Sequence, residues 1–282
     1  VIGALLVGVT LAQYVRTTEK NDADKCLWWN ERSTIVWAQS VDGNPETTGE
    51  TEFTAMESAF STWQAQLDLC GSLTFTQAPR TSLRTTGYVQ GQVNQNVVLF
   101  RSKACAAAVP ANDACWEDDD CGSVYDCWQF ATAAIAMTTT SYDPATARIL
   151  DADIELNAKS FIFTTVDEPI CVAPVYSQSC VATDVQNTAT HEIGHLLGLG
   201  HIATVAGSTM AARADPGETS KRVLDPGTRQ FVCDVYPQGQ PAKTCTIVQV
   251  DPVLTPVARG CSSVPGALFT LLALVGLARR RR

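Results

Sequence analysis

The chain has 282 residues, of which 45% are hydrophobic and 17% charged, enough for one or two domains with a sizeable core. Its formal charge of −9 and pI near 4.8 exclude the basic surface that a phosphate backbone requires, so no nucleic-acid partner is expected. Eleven cysteines indicate an oxidising compartment.

In chain order, the apolar run VIGALLVGVTLA over residues 1–12 reads as the remaining core of a secretory signal peptide, with a cut near Ala12 and Gln13. It is too short to cross roughly 30 Å of hydrocarbon, although a buried strand or short anchor is the alternative. Residues 33–38 (STIVWA) predict a strand. Across 51–64, Phe53, Met56, Phe60 and Trp63 recur at helical spacing and predict a core-facing helix. Short strands are expected at 73–76 and 96–101.

A cysteine-rich insertion covers 103–128. Its Glu117-Asp118-Asp119-Asp120 run reads as a solvated acidic loop, with a Ca2+ site as the lesser alternative because the regular ligand spacing is missing. Residues 131–141 and 148–157 flank a Tyr-Asp-Pro turn and predict a hairpin. In its second arm Leu150, Ala152, Ile154 and Leu156 share one face. Asp151, Asp153 and Glu155 share the other, expected to be the wet side, again with Ca2+ as a lesser alternative. A capping box, Thr183-x-x-Gln186, starts a helix over 183–197, and Asp225-Pro226 starts another that Pro237 stops. Residues 238–260 read as a linker. The elements together predict one α+β domain over 25–237, built on a twisted mixed sheet.

Setting Cys261 aside leaves ten cysteines, an even set that predicts five disulfides. No CxxC pair occurs, so a cysteine-type zinc site is not expected. Connectivity does not follow from sequence; proximity suggests Cys171–Cys180, Cys233–Cys245 and two bridges within 105–127.

All three histidines lie in one window, THEIGHLLGLGH. His191 and His195, four apart on a helix, lie on one face and can converge on one ion. Glu192 projects about 100° away, poorly placed as a ligand but able to reach a water at the metal. Gly198 can adopt a positive φ, end the helix and turn the chain so that His201 joins the other two. Three neutral nitrogens and an open position define a catalytic zinc site. Zinc lowers the pKa of a bound water to about 7 and polarises a carbonyl, while Glu192 serves as general base.

The extended string HExxHxxGxxH resembles the metzincin zinc peptidases. The resemblance implies zinc ligands His191, His195 and His201, catalytic Glu192, and a methionine turn at Met210 within Ser208-Thr209-Met210. The order of elements looks most like the matrixin branch, which implies a metalloendopeptidase fold whose edge strand, here 131–141, pairs with a protein or peptide substrate. The chain departs from that branch where Ile202 replaces the usual serine and Ala211-Ala212 replaces the usual Tyr-Pro. No cysteine-switch segment is seen. A surface adhesin that keeps the fold without turnover is the alternative, against which Glu192 weighs.

At the other end, Gly260-Cys261-Ser262, an apolar run over 264–278 and Arg279 to Arg282 resemble tails handled by myxosortase-type sorting enzymes. That resemblance implies cleavage near Cys261, membrane contact only through residues 261–282, and a secreted or cell-surface product.

Overall fold

Five strands carry the architecture of the computed structural model, which describes residues 14–30, 33–92, 94–203, 205 and 207–245. They are β1 (Thr34–Gln39), β2 (Thr74–Gln77), β3 (Asn96–Phe100), β4 (Ala136–Tyr142) and β5 (Ile149–Leu156). Their order across the sheet is β2-β1-β3-β5-β4, parallel except for the antiparallel β4–β5 pair at one edge. Three helices of ten residues or more pack with them: α1 (Thr51–Cys70), α2 (Val185–Leu196) and α3 (Pro226–Val235), while the cysteine-rich insertion holds only single turns of helix. The chain is therefore α+β with a mixed sheet, as its pattern predicts.

Helix α1 buries the expected stripe of Phe53, Met56, Phe60 and Trp63 against the sheet. The ring of Phe60 stacks on Trp37 of β1 at 3.6 Å between centroids, and Phe75 of β2 meets it edge-on. The helix runs past the expected residue 64 because Leu67, one turn beyond Trp63, continues the buried stripe. It stops at Gly71, whose N–H bonds the Leu67 carbonyl at 2.6 Å. Strand β4 begins at Ala136 instead of 131, because residues 131–134 form a turn closed by the Ala134 N–H on the Ala131 carbonyl.

The two faces of β5 differ from expectation. Ala152, Ile154 and Leu156 enter the core, but Leu150 is only half-buried and Ile149 takes the place expected for it. A register shift causes this, since Ser141 pairs with Asp151 and the next pair is Tyr142 with Ile149. The acidic face is not wet. Asp151, Asp153 and Glu155 are 2%, 1% and 2% exposed. The chain between β2 and β4 folds over them and supplies partners to two of them: Gly87 and Val97 N–H groups donate to Asp153 at 2.5 and 2.7 Å, and fully buried Arg101 donates to Glu155 at 2.6 Å. Arg101 also reaches Asp126 in the cysteine-rich insertion at 2.9 Å, which locks that insertion over the face.

Five disulfides form: Cys26–Cys245, Cys70–Cys233, Cys105–Cys127, Cys115–Cys121 and Cys171–Cys180. The nested pair in the insertion and Cys171–Cys180 follow the proximity argument. Cys233–Cys245 does not form. Cys233 lies on α3 against the end of α1 and takes Cys70, whereas Cys245 returns to the first strand region at Cys26. Such pairings are consistent with an extracellular protein.

The ordered body extends past residues 25 and 237. Val15–Arg16 pairs with Leu199–Gly200, and the Arg16 guanidinium donates to the carbonyls of Leu27 and Lys243. Residues 238–245, read as the start of a linker, are thus tied down. Among the described residues, no helix is long and apolar enough to cross a membrane. The signal-like run 1–12 and the tail 261–282 lie outside the described residues.

Candidate metal centre

Helix α2 is capped one residue later than the Thr183-x-x-Gln186 pattern predicts. Asp184 accepts the Asn187 N–H at 2.7 Å, and the same carboxylate holds Arg222. Thr183 instead joins Asp184 in a short parallel pairing with Phe163–Thr164. A carboxylate at the positive end of a helix is the stronger cap.

Aromatic side chains from three directions fix the rest of the helix. Trp63 of α1 donates its indole N–H to the Thr190 carbonyl at 2.8 Å, and Trp29 does the same to Leu196 at 2.8 Å. The Tyr236 hydroxyl bonds the Leu197 carbonyl at 2.7 Å. Two of these acceptors are end carbonyls that the helix itself leaves without partners. Of the three side chains, Trp63 alone is expected in the core from the sequence, and helical spacing there gives no sign of its bond to α2.

Gly198 then turns the chain with φ of 95°, its N–H returned to the His195 carbonyl at 2.9 Å. That turn delivers His201 to the other two histidines. The three Nε2 atoms lie 3.0 to 3.1 Å from one another. His191 faces the Thr209 carbonyl through Nδ1 at 2.6 Å, and His195 faces the Leu199 carbonyl through Nδ1 at 2.7 Å. A carbonyl only accepts, so both Nδ1 atoms carry the proton and both Nε2 atoms present lone pairs. Two lone pairs 3.1 Å apart repel unless a cation lies between them. Nitrogens bound to one zinc ion at about 2.0–2.1 Å have separations of this order. The donor set fits a metal ion.

Burial reinforces this. It pushes the His191 imidazole well below its ordinary pKa, with the neighbouring histidines adding to the effect, and it lowers His201 to about 4 together with the Lys221 charge. Neutral rings are what metal binding requires. Among the described residues these histidines are the only group of three or more such side chains able to hold an ion. Neither the acidic run at 117–120 nor the face of Asp151, Asp153 and Glu155 forms one.

Met210 lies beneath the helix, 1% exposed. A Cβ added at Gly194 would collide with its sulfur, so glycine between the two helical histidines is what lets Met210 come this close. The turn carrying it is pinned by Asp225, which accepts from Ser208 Oγ and Thr209 N–H while capping α3. Asp225 therefore does more than the predicted cap, since it fixes the carbonyl that orients His191.

Glu192 is fully buried, and its Oε2 accepts from the Thr138 hydroxyl at 2.7 Å. Every site residue singled out in the sequence thus falls in one place: His191, His195 and His201 converge, Glu192 stands beside His191 on α2, and Gly198 and Met210 support them. Thr138 and Trp29 were not singled out, and Trp63 and Thr209 were named only for the α1 core stripe and the methionine turn; the motif gives none of the four a part in holding the histidines and Glu192, because they come from other elements.

No protein-family model matches the chain, and no curated protein matches it.

Proposed function

We propose that the chain is an exported zinc endopeptidase of the metzincin type, closest to the matrixin layout. The observation that carries this reading is the convergence of three Nε2 atoms, two of them with tautomers set by backbone carbonyls, next to a buried glutamate. His191, His195 and His201 would hold the ion. Three neutral imidazoles suit Zn2+, which when bound acidifies water and polarises a carbonyl.

The protein's own groups supply the rest. Glu192 accepts the proton of the attacking water and returns it to the leaving nitrogen. Strand β4 is the antiparallel edge of the sheet next to α2; among the described residues no strand pairs with its outer side, which offers backbone groups to an extended peptide. That arrangement favours a protein or peptide substrate cut inside the chain. Five disulfides support export, and the sequence of residues 261–282 supports release or surface display after processing near Cys261.

Digestion of casein by the purified protein, with and without a chelator, tests the reading beside Glu192→Ala and His195→Ala. The expected result is chelator-sensitive cleavage, loss of turnover with zinc kept in Glu192→Ala, and loss of zinc in His195→Ala. A zinc-loaded wild type as inert as Glu192→Ala on broad peptide libraries would favour an adhesin instead.

A further inference from the structure

Where β4 and β5 meet α2, their shared face is apolar: Ala136, Ala152, Ile154 and Leu156 are all buried. Two threonines interrupt it: Thr140, paired with Ala152, is half-buried, whereas Thr138, paired directly with Ile154, is only 7% exposed. A buried hydroxyl costs free energy unless it is used, and valine would fill the same space without that cost. The hydroxyl is used. It lies 2.7 Å from Glu192 Oε2 and 3.1 Å from the Glu192 carbonyl. It carries one proton, and the nearer, charged oxygen is the better acceptor.

The two side chains differ in stiffness. Glu192 bears its carboxylate on three rotatable bonds, whereas Thr138 is β-branched and held in the sheet, so its hydroxyl has few positions open to it. We infer that Thr138 is a positioning residue for Glu192, which fixes the carboxylate against the edge strand in the orientation that proton transfer needs. This inference rests on the peptidase reading of Glu192. It adds a physical link between substrate binding and chemistry, because the strand that would pair with the peptide backbone also holds the base. A peptide seated out of register on β4 would then be misplaced relative to the carboxylate as well.

Thr138→Val and Thr138→Ser test this in the full zinc-loaded chain. Thr138→Val is expected to lower kcat on a peptide substrate by about tenfold or more, the scale of a lost hydrogen bond to a charged group. KM, zinc content and Tm are expected to stay at wild-type values, and Thr138→Ser should recover most of kcat. Acetohydroxamate gives a readout that needs no turnover, because its N–O–H donates to a carboxylate. Its Kd by calorimetry should weaken several-fold in Thr138→Val and not in Thr138→Ser. Wild-type kcat in Thr138→Val, or a loss that serine does not restore, overturns the inference while leaving the peptidase intact. If wild type and Glu192→Ala are equally inert, the peptidase reading fails instead, and unchanged hydroxamate affinity across the Thr138 series would overturn the positioning role separately.

Discussion

Replacing Gly198 with alanine should damage both the fold and the candidate metal centre. The backbone there has φ of 95°, in the region that side chains disfavour, and an added Cβ would stand 2.7 Å from the Leu27 carbonyl oxygen. That oxygen cannot step aside cheaply. It belongs to backbone and already accepts from buried Arg16 at 2.9 Å. The left-handed conformation costs about 1–2 kcal/mol for an L-residue. Relief of the close contact costs about 1–3 kcal/mol more, as for other overpacked sites. Alanine's lower unfolded-state entropy returns about 0.4–1 kcal/mol. A net loss of about 1–4.6 kcal/mol follows, which for a body of this size lowers Tm by about 2–18 °C. Thermal unfolding of the zinc-free protein by circular dichroism isolates this backbone effect. Zinc titration then reads its second consequence, since a displaced turn moves His201 away from His191 and His195 and should weaken binding. Unchanged Tm together with unchanged zinc affinity would refute the argument that this glycine is demanded by geometry.

Gly194→Ala places a methyl group where the Met210 sulfur lies, so it should destabilise by about 1–3 kcal/mol despite gaining about 1 kcal/mol of helix propensity. In a cycle with Met210→Ala the two losses should be less than additive; full additivity would mean that the two residues do not touch. Burial raises the pKa of both Asp151 and Asp153, and the Asp151 charge raises Asp153 further. Such carboxyls keep protons in the fold that the unfolded chain has lost. Their contribution is therefore fully present below the ordinary carboxylate pKa of about 3.9 and is lost as pH rises through the raised folded values. Asp151→Asn, which removes one of the two buried charges, should raise Tm at pH 8 more than at pH 4; parallel Tm curves for mutant and wild type would refute the coupling. Loss of Cys26–Cys245, whose sequence separation is 219, should cost about 5 kcal/mol by the chain-entropy relation. Loss of Cys115–Cys121, separation 6, should cost about 2 kcal/mol, and urea unfolding of the two double-serine variants ranks them.

The candidate metal centre was legible because its parts lie within one stretch of chain. Helical spacing puts His191 and His195 on one face, and Gly198 explains the return of His201; none of this depends on distant contacts. The strand and helix order was legible for the same reason, through the alternation in β5 and the stripe in α1. What holds the centre was not. Thr138, Thr209, Trp29 and Trp63 come from separate elements, and a hydroxyl or indole in an apolar run looks the same whether or not it bonds a helix. The disulfides show the same limit. Bridges closing short loops follow from proximity, but Cys70–Cys233 and Cys26–Cys245 join segments that only the packing of α1 on α3, and of the first strands on residues 238–245, brings together.

The acidic face of β5 shows most clearly why local pattern fell short. A period of two states which residues share a face, and it did so correctly for Asp151, Asp153 and Glu155. Whether that face meets water depends on what the rest of the chain lays over it. Here one buried guanidinium decides the matter. Arg101 is fully buried at the end of β3, bonded to Glu155 below and to Asp126 and the Arg84 carbonyl above. An arginine that closes the four-residue apolar run Val97–Phe100 needs acceptors, and the nearest acids in the parallel neighbour are those of β5. The unmatched charge was therefore present in the sequence, in the form of Arg101 following Asn-Val-Val-Leu-Phe. Read as a demand for buried carboxylates, it would have turned the expected wet side of the hairpin inward. It would also have marked the cysteine-rich insertion as the cover that keeps the acidic face of β5 dry.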